Sequence, residues 1–542
     1  MLVLCCLVVL WFPVPALAET QPVEITAYRI DATYDPESHI ISAQETASYV
    51  NTTGDPMPDI VMHLYLNAFS STETLWMRES NSGMRGFQFD PTSPGWMRIA
   101  SIRMTGGTSL DFEALDVDTT LIRITLPEPI EPGAAVSLDI EFEAALPRVF
   151  ARTGWADRGN FVIAGQWFPK FGVWQQGNWN AYPFHANSEF FADFGSYDVS
   201  LTVPGDWVIG ASAPDSGEVT PNADGTATHH YHAEHIIDFV WSASPRYREI
   251  HRWQDDIHVR VLFYPAQRAT ARRALNAALD GLRFYEAWIG PYGGDLYQQL
   301  TIIIVPPDAG GAGGMEYPTL FTVGSLAPGG TPHCLRLTEA ETLHELAHQW
   351  FQSVIATNEA EEPWLDEGFA DYATTRALDT LYDGAISTCG NWNLTYQALQ
   401  RASYVLMPDI TMAGKAWDFG MEYSIATYAK PVVGLTTLQN LVGEETMTGF
   451  LKAYYDQHAF THPTADDAQR VMSTSVGEAM STWFFDSLVN NDSVMDATVA
   501  AYGNDYIQLE RTGELCTPTE VALLSRPNIL GQPEASTITW DC

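Results

Sequence analysis

Two histidines four residues apart, followed by an acid at a fixed distance, constrain this chain more than anything else in it. They read His344-Glu345-Leu346-Ala347-His348, then eighteen residues, then Glu367. A helix turns about 100° per residue, so residues four apart lie nearly over one another on one face. His344 and His348 can therefore offer ring nitrogens to one metal ion, and Glu345 can reach a water beside it. Two His and one Glu leave a fourth tetrahedral position open, which a catalytic zinc needs and a structural zinc does not.

The surrounding residues favour a buried helix over a solvated one. Thr338-Glu339-Ala340-Glu341 has the form of a capping box and predicts a helix start there. Leu343, Leu346, Ala347, Trp350 and Val354 make an apolar stripe that would bury the helix. A second apolar segment, Trp364 to Ala370, carries Glu367. Acids and imidazoles in such surroundings are costly unless paired or metal-bound.

The chain has 542 residues, too many for one core, so two to four domains are expected. Residues 1–18 are apolar and end Ala16-Leu17-Ala18, which reads as a secretory signal cleaved before Glu19. An uncleaved anchor is the alternative, and no later segment is long and apolar enough for a membrane helix. The expected location is secreted or periplasmic. Cys5 and Cys6 fall in the signal, leaving Cys334, Cys389, Cys516 and Cys542. Four cysteines allow three pairings, of which Cys334–Cys389 with Cys516–Cys542 is the simplest, or they stay unpaired. A net charge of −40, with four Lys against 23 Arg, argues against nucleic acid or an anionic membrane as partner.

From about 24 to 245 the pattern is strand-like, with alternation at Tyr28, Ile30, Ala32 and Tyr34. Ile257–Phe263 reads as a strand, Arg268–Trp288 as an amphipathic helix and Leu300–Val305 as a buried strand. Helices are expected around Leu438–Tyr455 and Ala465–Val489, then turns and short strands. The run Gly310-Gly311-Ala312-Gly313-Gly314 permits close backbone approach, which suits a peptide lying along a strand edge.

Gly313-Gly314-Met315-Glu316-Tyr317 stands 28 residues before His344, counted from Glu316, and Tyr428-Ala429-Lys430 stands 61 residues after Glu367. With the zinc motif, these make the chain similar to the aminopeptidase N family of gluzincin metallopeptidases, over roughly residues 25–495. Tyr317 replaces the family's usual Asn, and Pro431 its usual Gly. The resemblance implies an α+β multidomain chain. It would comprise an antiparallel β domain at 19–245, a thermolysin-like zinc peptidase domain at 246–495, and a short carboxy-terminal extension at 496–542.

The resemblance also implies roles. One zinc per chain would be held by His344, His348 and Glu367. Glu345 would be the base and Tyr428 the donor to the oxyanion, with Tyr423 a neighbour in the cleft. Glu316 would pair with a substrate ammonium, with Gly313 and Gly314 beside the peptide. Asp371, four residues past Glu367, is placed to orient a ligand imidazole. Gln166 is a candidate to reach substrate from the β domain. The implied activity is removal of amino-terminal residues from peptides with a free amino terminus. A zinc endopeptidase on the same fold, or a catalytically silent binding module, are the rivals.

Overall fold

In a computed structural model, the structure describes residues 24–324, 332, 334–389, 394–494, 497–503, 507–511, 519–524 and 535–540. The expected signal peptide, Cys516 and Cys542 lie outside these residues. Among the described residues no helix is long and apolar enough to cross a membrane.

The first half is built of strands. Thr26–Asp35 alternates buried and exposed along its length, as a strand with one covered face must. It pairs antiparallel with Ile40–Val50 and parallel with Gly195–Pro204, inside an eight-stranded sheet. Two four-stranded sheets accompany it, one around Met57–His63 and Leu121–Ile130, the other around Phe161–Ala164 and Trp241–Ser244. Aromatic rings fill the space between: Tyr28 stacks on Tyr197 at 4.9 Å and meets Phe168 edge-on at 5.4 Å.

Beyond residue 245 the pattern changes. Arg248–Gln254, Ile257–Phe263, Gln299–Ile304 and Leu320–Val323 form one sheet in that order, the last two joints parallel. Arg268–Trp288 is the crossover helix between the two parallel strands Ile257–Phe263 and Gln299–Ile304. Gly281 on this helix lets the motif helix, Leu337–Ala347, come close: a Cβ there would meet Leu343 and Leu346 at 2.7 Å. Glu367–Tyr382 follows as the helix that carries the third ligand candidate. Cys334, before the motif helix, is bridged to Cys389, after the ligand helix.

Three expectations need correction. The motif helix is capped by Arg336, with no side-chain cap from Thr338. The two acids of the supposed box are engaged elsewhere: Glu339 pairs with Arg273 at 2.5 Å, and Glu341 accepts the Gly324 amide at 2.7 Å. Helix 438–455 is two helices, Lys430–Val442 and Glu444–His458, broken at Gly443 (φ +88°). The 465–489 helix is likewise broken at Gly477 (φ +95°). At both glycines the chain takes a conformation that side chains disfavour.

Candidate metal centre and cleft

His344 sits in the last turn of the motif helix and His348 caps it. Their Nε2 atoms are 3.2 Å apart. Glu367 Oε2 lies 3.1 Å from His344 Nε2 and 3.2 Å from His348 Nε2. Ligands of tetrahedral zinc at about 2.0–2.1 Å stand roughly 3.3 Å from one another. The three donors therefore fit a zinc ion with one position left over.

The far side of each ring is held. His348 Nδ1 donates to Asp366 Oδ1 at 2.7 Å, which fixes the tautomer with Nε2 free to ligate. His344 Nδ1 faces Asp371 Oδ1 at 3.4 Å, a charge contact too long for a good hydrogen bond. Asp371 is itself held by Gln400 Nε2 at 2.5 Å. Burial lowers the His344 pKa, but Asp371 and Glu367 outweigh it and push it up to about 10. A bound cation would displace those protons.

Glu345 is buried beside the histidines, with Oε2 unpartnered, and burial raises its pKa well above the carboxylate range. Tyr428 lies in a π-helical turn, Ile425–Ala429, and donates to Glu367 Oε1. Burial, then the Glu367 charge, raises the Tyr428 pKa, so its hydroxyl stays protonated and able to donate. Tyr423 is adjacent, its ring centroid 6.2 Å from that of Tyr428. Pro431 stands in the first turn of the next helix, where a missing amide costs nothing.

A wall of acids faces the centre. Oxygens of Glu189, Glu316 and Glu359 lie within 4.8 Å of one another. Arg152 is buried and paired with Glu189. Burial raises Glu189 to about 8, partly offset by Arg152, and raises Glu359 as well. Glu316 Oε1 is buried with no hydrogen-bond partner. Tyr317 turns its hydroxyl onto the Arg152 carbonyl at 3.3 Å and packs against Gly165, where a Cβ would come within 2.5 Å of that hydroxyl.

Three expected residues have other engagements. Gln166 is buried and donates to Asp238, which meets Lys170 Nζ at 3.2 Å, so its amide is committed to that pair. Gly314 lies close to Glu345, but Arg85 donates to the carbonyls of both Gly313 and Gly314. The outer edge of Leu320–Val323 is already covered at this point: the Gly314 amide donates to Thr322 O, and Met315 bridges Thr322. Beside the centre a cavity of about 430 Å³ is lined by Arg85, Arg152, Glu189, Gln400, Tyr423 and Tyr428 among others.

Sequence reasoning missed Asp366, Arg152, Glu189 and Glu359 as parts of this site. Asp366 was findable, being the acid directly before Glu367 on a segment already singled out. Glu189 lies in the aromatic run His185–Phe191, where nothing in the sequence singles it out.

The three donors make a two-His, one-Glu set of the kind that holds a catalytic zinc. Residues 273–488 match the Peptidase family M1 domain, so this part of the chain is similar to that family. It is 29% identical to aminopeptidase RNPEPL1 of Homo sapiens over 217 residues, 38% of this chain and 29% of that one. It is 29% identical to aminopeptidase N of Lactobacillus delbrueckii subsp. lactis over 231 residues, 39% and 26% respectively. The matches thus span under a third of these relatives' length. The M1 zinc metallopeptidase from Deinococcus radiodurans shares the fold, with TM-score 0.58 at 16% identity over 85% of this chain and 92% of that one. A mutant of that protein has been solved with a Tyr-Ser-Ala substrate, at TM-score 0.56, 16% identity, and 86% and 94% coverage.

Proposed function

We propose that this protein is an exported zinc aminopeptidase that removes amino-terminal residues from peptides. The observation that carries the reading is the convergence of His344 Nε2, His348 Nε2 and Glu367 Oε2 at 3.1–3.2 Å, with Glu345 beside them. Bound there, zinc supplies an electrophile that acidifies water and polarises the scissile carbonyl. Glu345 takes the proton of the attacking water and returns it to the leaving amine. Tyr428 donates to the oxyanion as it develops, without bringing a full charge.

Glu316 makes the peptidase an aminopeptidase. Its buried, unpartnered oxygen needs a donor, and a substrate α-ammonium is one. Glu189 and Glu359 flank it, and an arriving cation favours their ionised forms against the burial that raises their pKa values. Export is supported by the apolar leader and by the Cys334–Cys389 disulfide, a bond favoured in oxidising compartments.

The test is a panel of amino-acid arylamides and peptides with free or acetylated amino termini, with and without chelator. Free-amino substrates are expected to turn over one residue at a time, acetylated ones to be nearly inert, and chelation to abolish turnover until zinc is restored. Equal cleavage of acetylated peptides at internal bonds would overturn the aminopeptidase reading.

A further inference from the structure

Arg85 reaches the site from the β half of the molecule. The strands Gly83–Met84 and Phe87–Gln88 form a hairpin whose two-residue loop is Arg85-Gly86, with φ of +51° and +89°. Both residues with positive φ make this the tight turn that suits the twist of a hairpin. The hairpin is wedged onto the glycine run. A Cβ at Gly310 would meet the Phe87 ring at 2.6 Å, so the ring occupies the place of a side chain. Arg85 Nη1 then bonds the Gly313 and Gly314 carbonyls. An arginine that is exposed at a loop tip is thus held in one place.

That place faces the chemistry. A Cβ on Gly314 would lie 2.9 Å from Arg85 Nη1 and 3.4 Å from Glu345 Oε1. The guanidinium, the base and Glu341 Oε1, 3.5 Å from that position, therefore gather around one missing side chain. Arg85 and Arg152 are the cations named in the cavity lining, and Arg152 is paired with Glu189. Among the described residues the hydrogen bonds of Arg85 use Nη1, which leaves its other donors for the cavity. Of the nearby acids, Glu341 accepts the Gly324 amide and also feels the Arg85 charge, and Glu345 has the base's task.

We infer that Arg85 binds the terminal carboxylate of short peptides and makes di- and tripeptides the favoured substrates. The inference rests on the aminopeptidase reading. With the ammonium held by Glu316 and the first peptide bond at the centre, one or two further residues at about 3.3 Å each carry the carboxylate to the guanidinium. A charge-assisted contact there distinguishes a free acid from an amide. In a chain of net charge −40, such a cation also offsets the repulsion a carboxylate meets elsewhere on the surface.

The experiment compares Ala-Ala-Ala with its carboxy-terminal amide on the zinc-loaded full-length protein, with alanine arylamide as a reference. Wild type is expected to favour the free acid by about tenfold in kcat/KM, mostly through KM. In Arg85→Ala the ratio falls toward one, and Arg85→Lys keeps part of it. If wild type hydrolyses the arylamide but treats acid and amide alike, the inference is overturned and the aminopeptidase reading stands. If Arg85→Ala slows both peptides equally with the ratio preserved, Arg85 only buttresses the glycine run and the inference is again overturned. If no free-amino substrate is turned over, the underlying reading fails and takes the inference with it.

Discussion

The metal centre and the acidic wall stand side by side, yet they are assembled in opposite ways. The centre comes from one stretch, residues 344–367, and its geometry follows from helix periodicity and one following helix. The wall draws Glu189 from the β half, Glu316 from the loop before Leu320–Val323, and Glu359 from the segment between the two ligand-bearing helices. At the centre two ligand candidates are hydrogen-bonded by neighbours, His348 by Asp366 and Glu367 by Tyr428, and His344 has the Asp371 charge behind it at 3.4 Å. The wall leaves Glu316 Oε1 unpartnered. A cation site built for permanent occupancy is braced from behind, and one built for a transient ammonium keeps its charge in reserve.

The sharpest break in that comparison is expected at Glu345. Glu345→Gln should keep zinc, measured by metal analysis, while kcat falls by roughly 10²–10⁴-fold. Loss of zinc in that variant would make Glu345 part of the ligand set. Next comes Tyr428→Phe, which removes one hydroxyl and little volume. Its kcat should drop on the order of a hundredfold with KM nearly constant, as for loss of an oxyanion donor. A near-normal kcat would hand the role to Tyr423. The wall should respond more gently and in the other kinetic constant. Burial, with the charges of Asp366 and Glu316, pushes the Glu359 pKa up, and an arriving cation favours its ionised form. Glu359→Gln should therefore raise KM for free-amino peptides by about three- to tenfold and leave kcat less affected. A fall in kcat with KM unmoved would place Glu359 with the centre.

The same contrast explains what could be read in advance. His344, His348 and Glu367 were legible because helix geometry converts spacing into proximity. The strand Ile257–Phe263 and the helix Arg268–Trp288 were legible from periodicity. The capping box was misread because Glu341, the acid that would have closed it, instead accepts the Gly324 amide, 17 residues away in sequence. The breaks at Gly443 and Gly477 carried a local signal, a glycine after the last periodic residue, that went unused. Glu189 and Arg85 were out of reach for a different reason. Their roles depend on where the β half docks, and no local pattern encodes that.

The Cys334–Cys389 bridge has one more consequence. It joins residues 55 apart, and all three ligand candidates lie between them. The unfolded chain is therefore already a covalent ring around its own metal site. Closing a ring of that size removes chain entropy worth about 4 kcal/mol at 25 °C in the simplest model. Much of the search that would bring His344 and Glu367 together is then over before folding begins. Zinc and sulfur constrain the same stretch of chain, so their stabilising effects should overlap and sum to less than their parts.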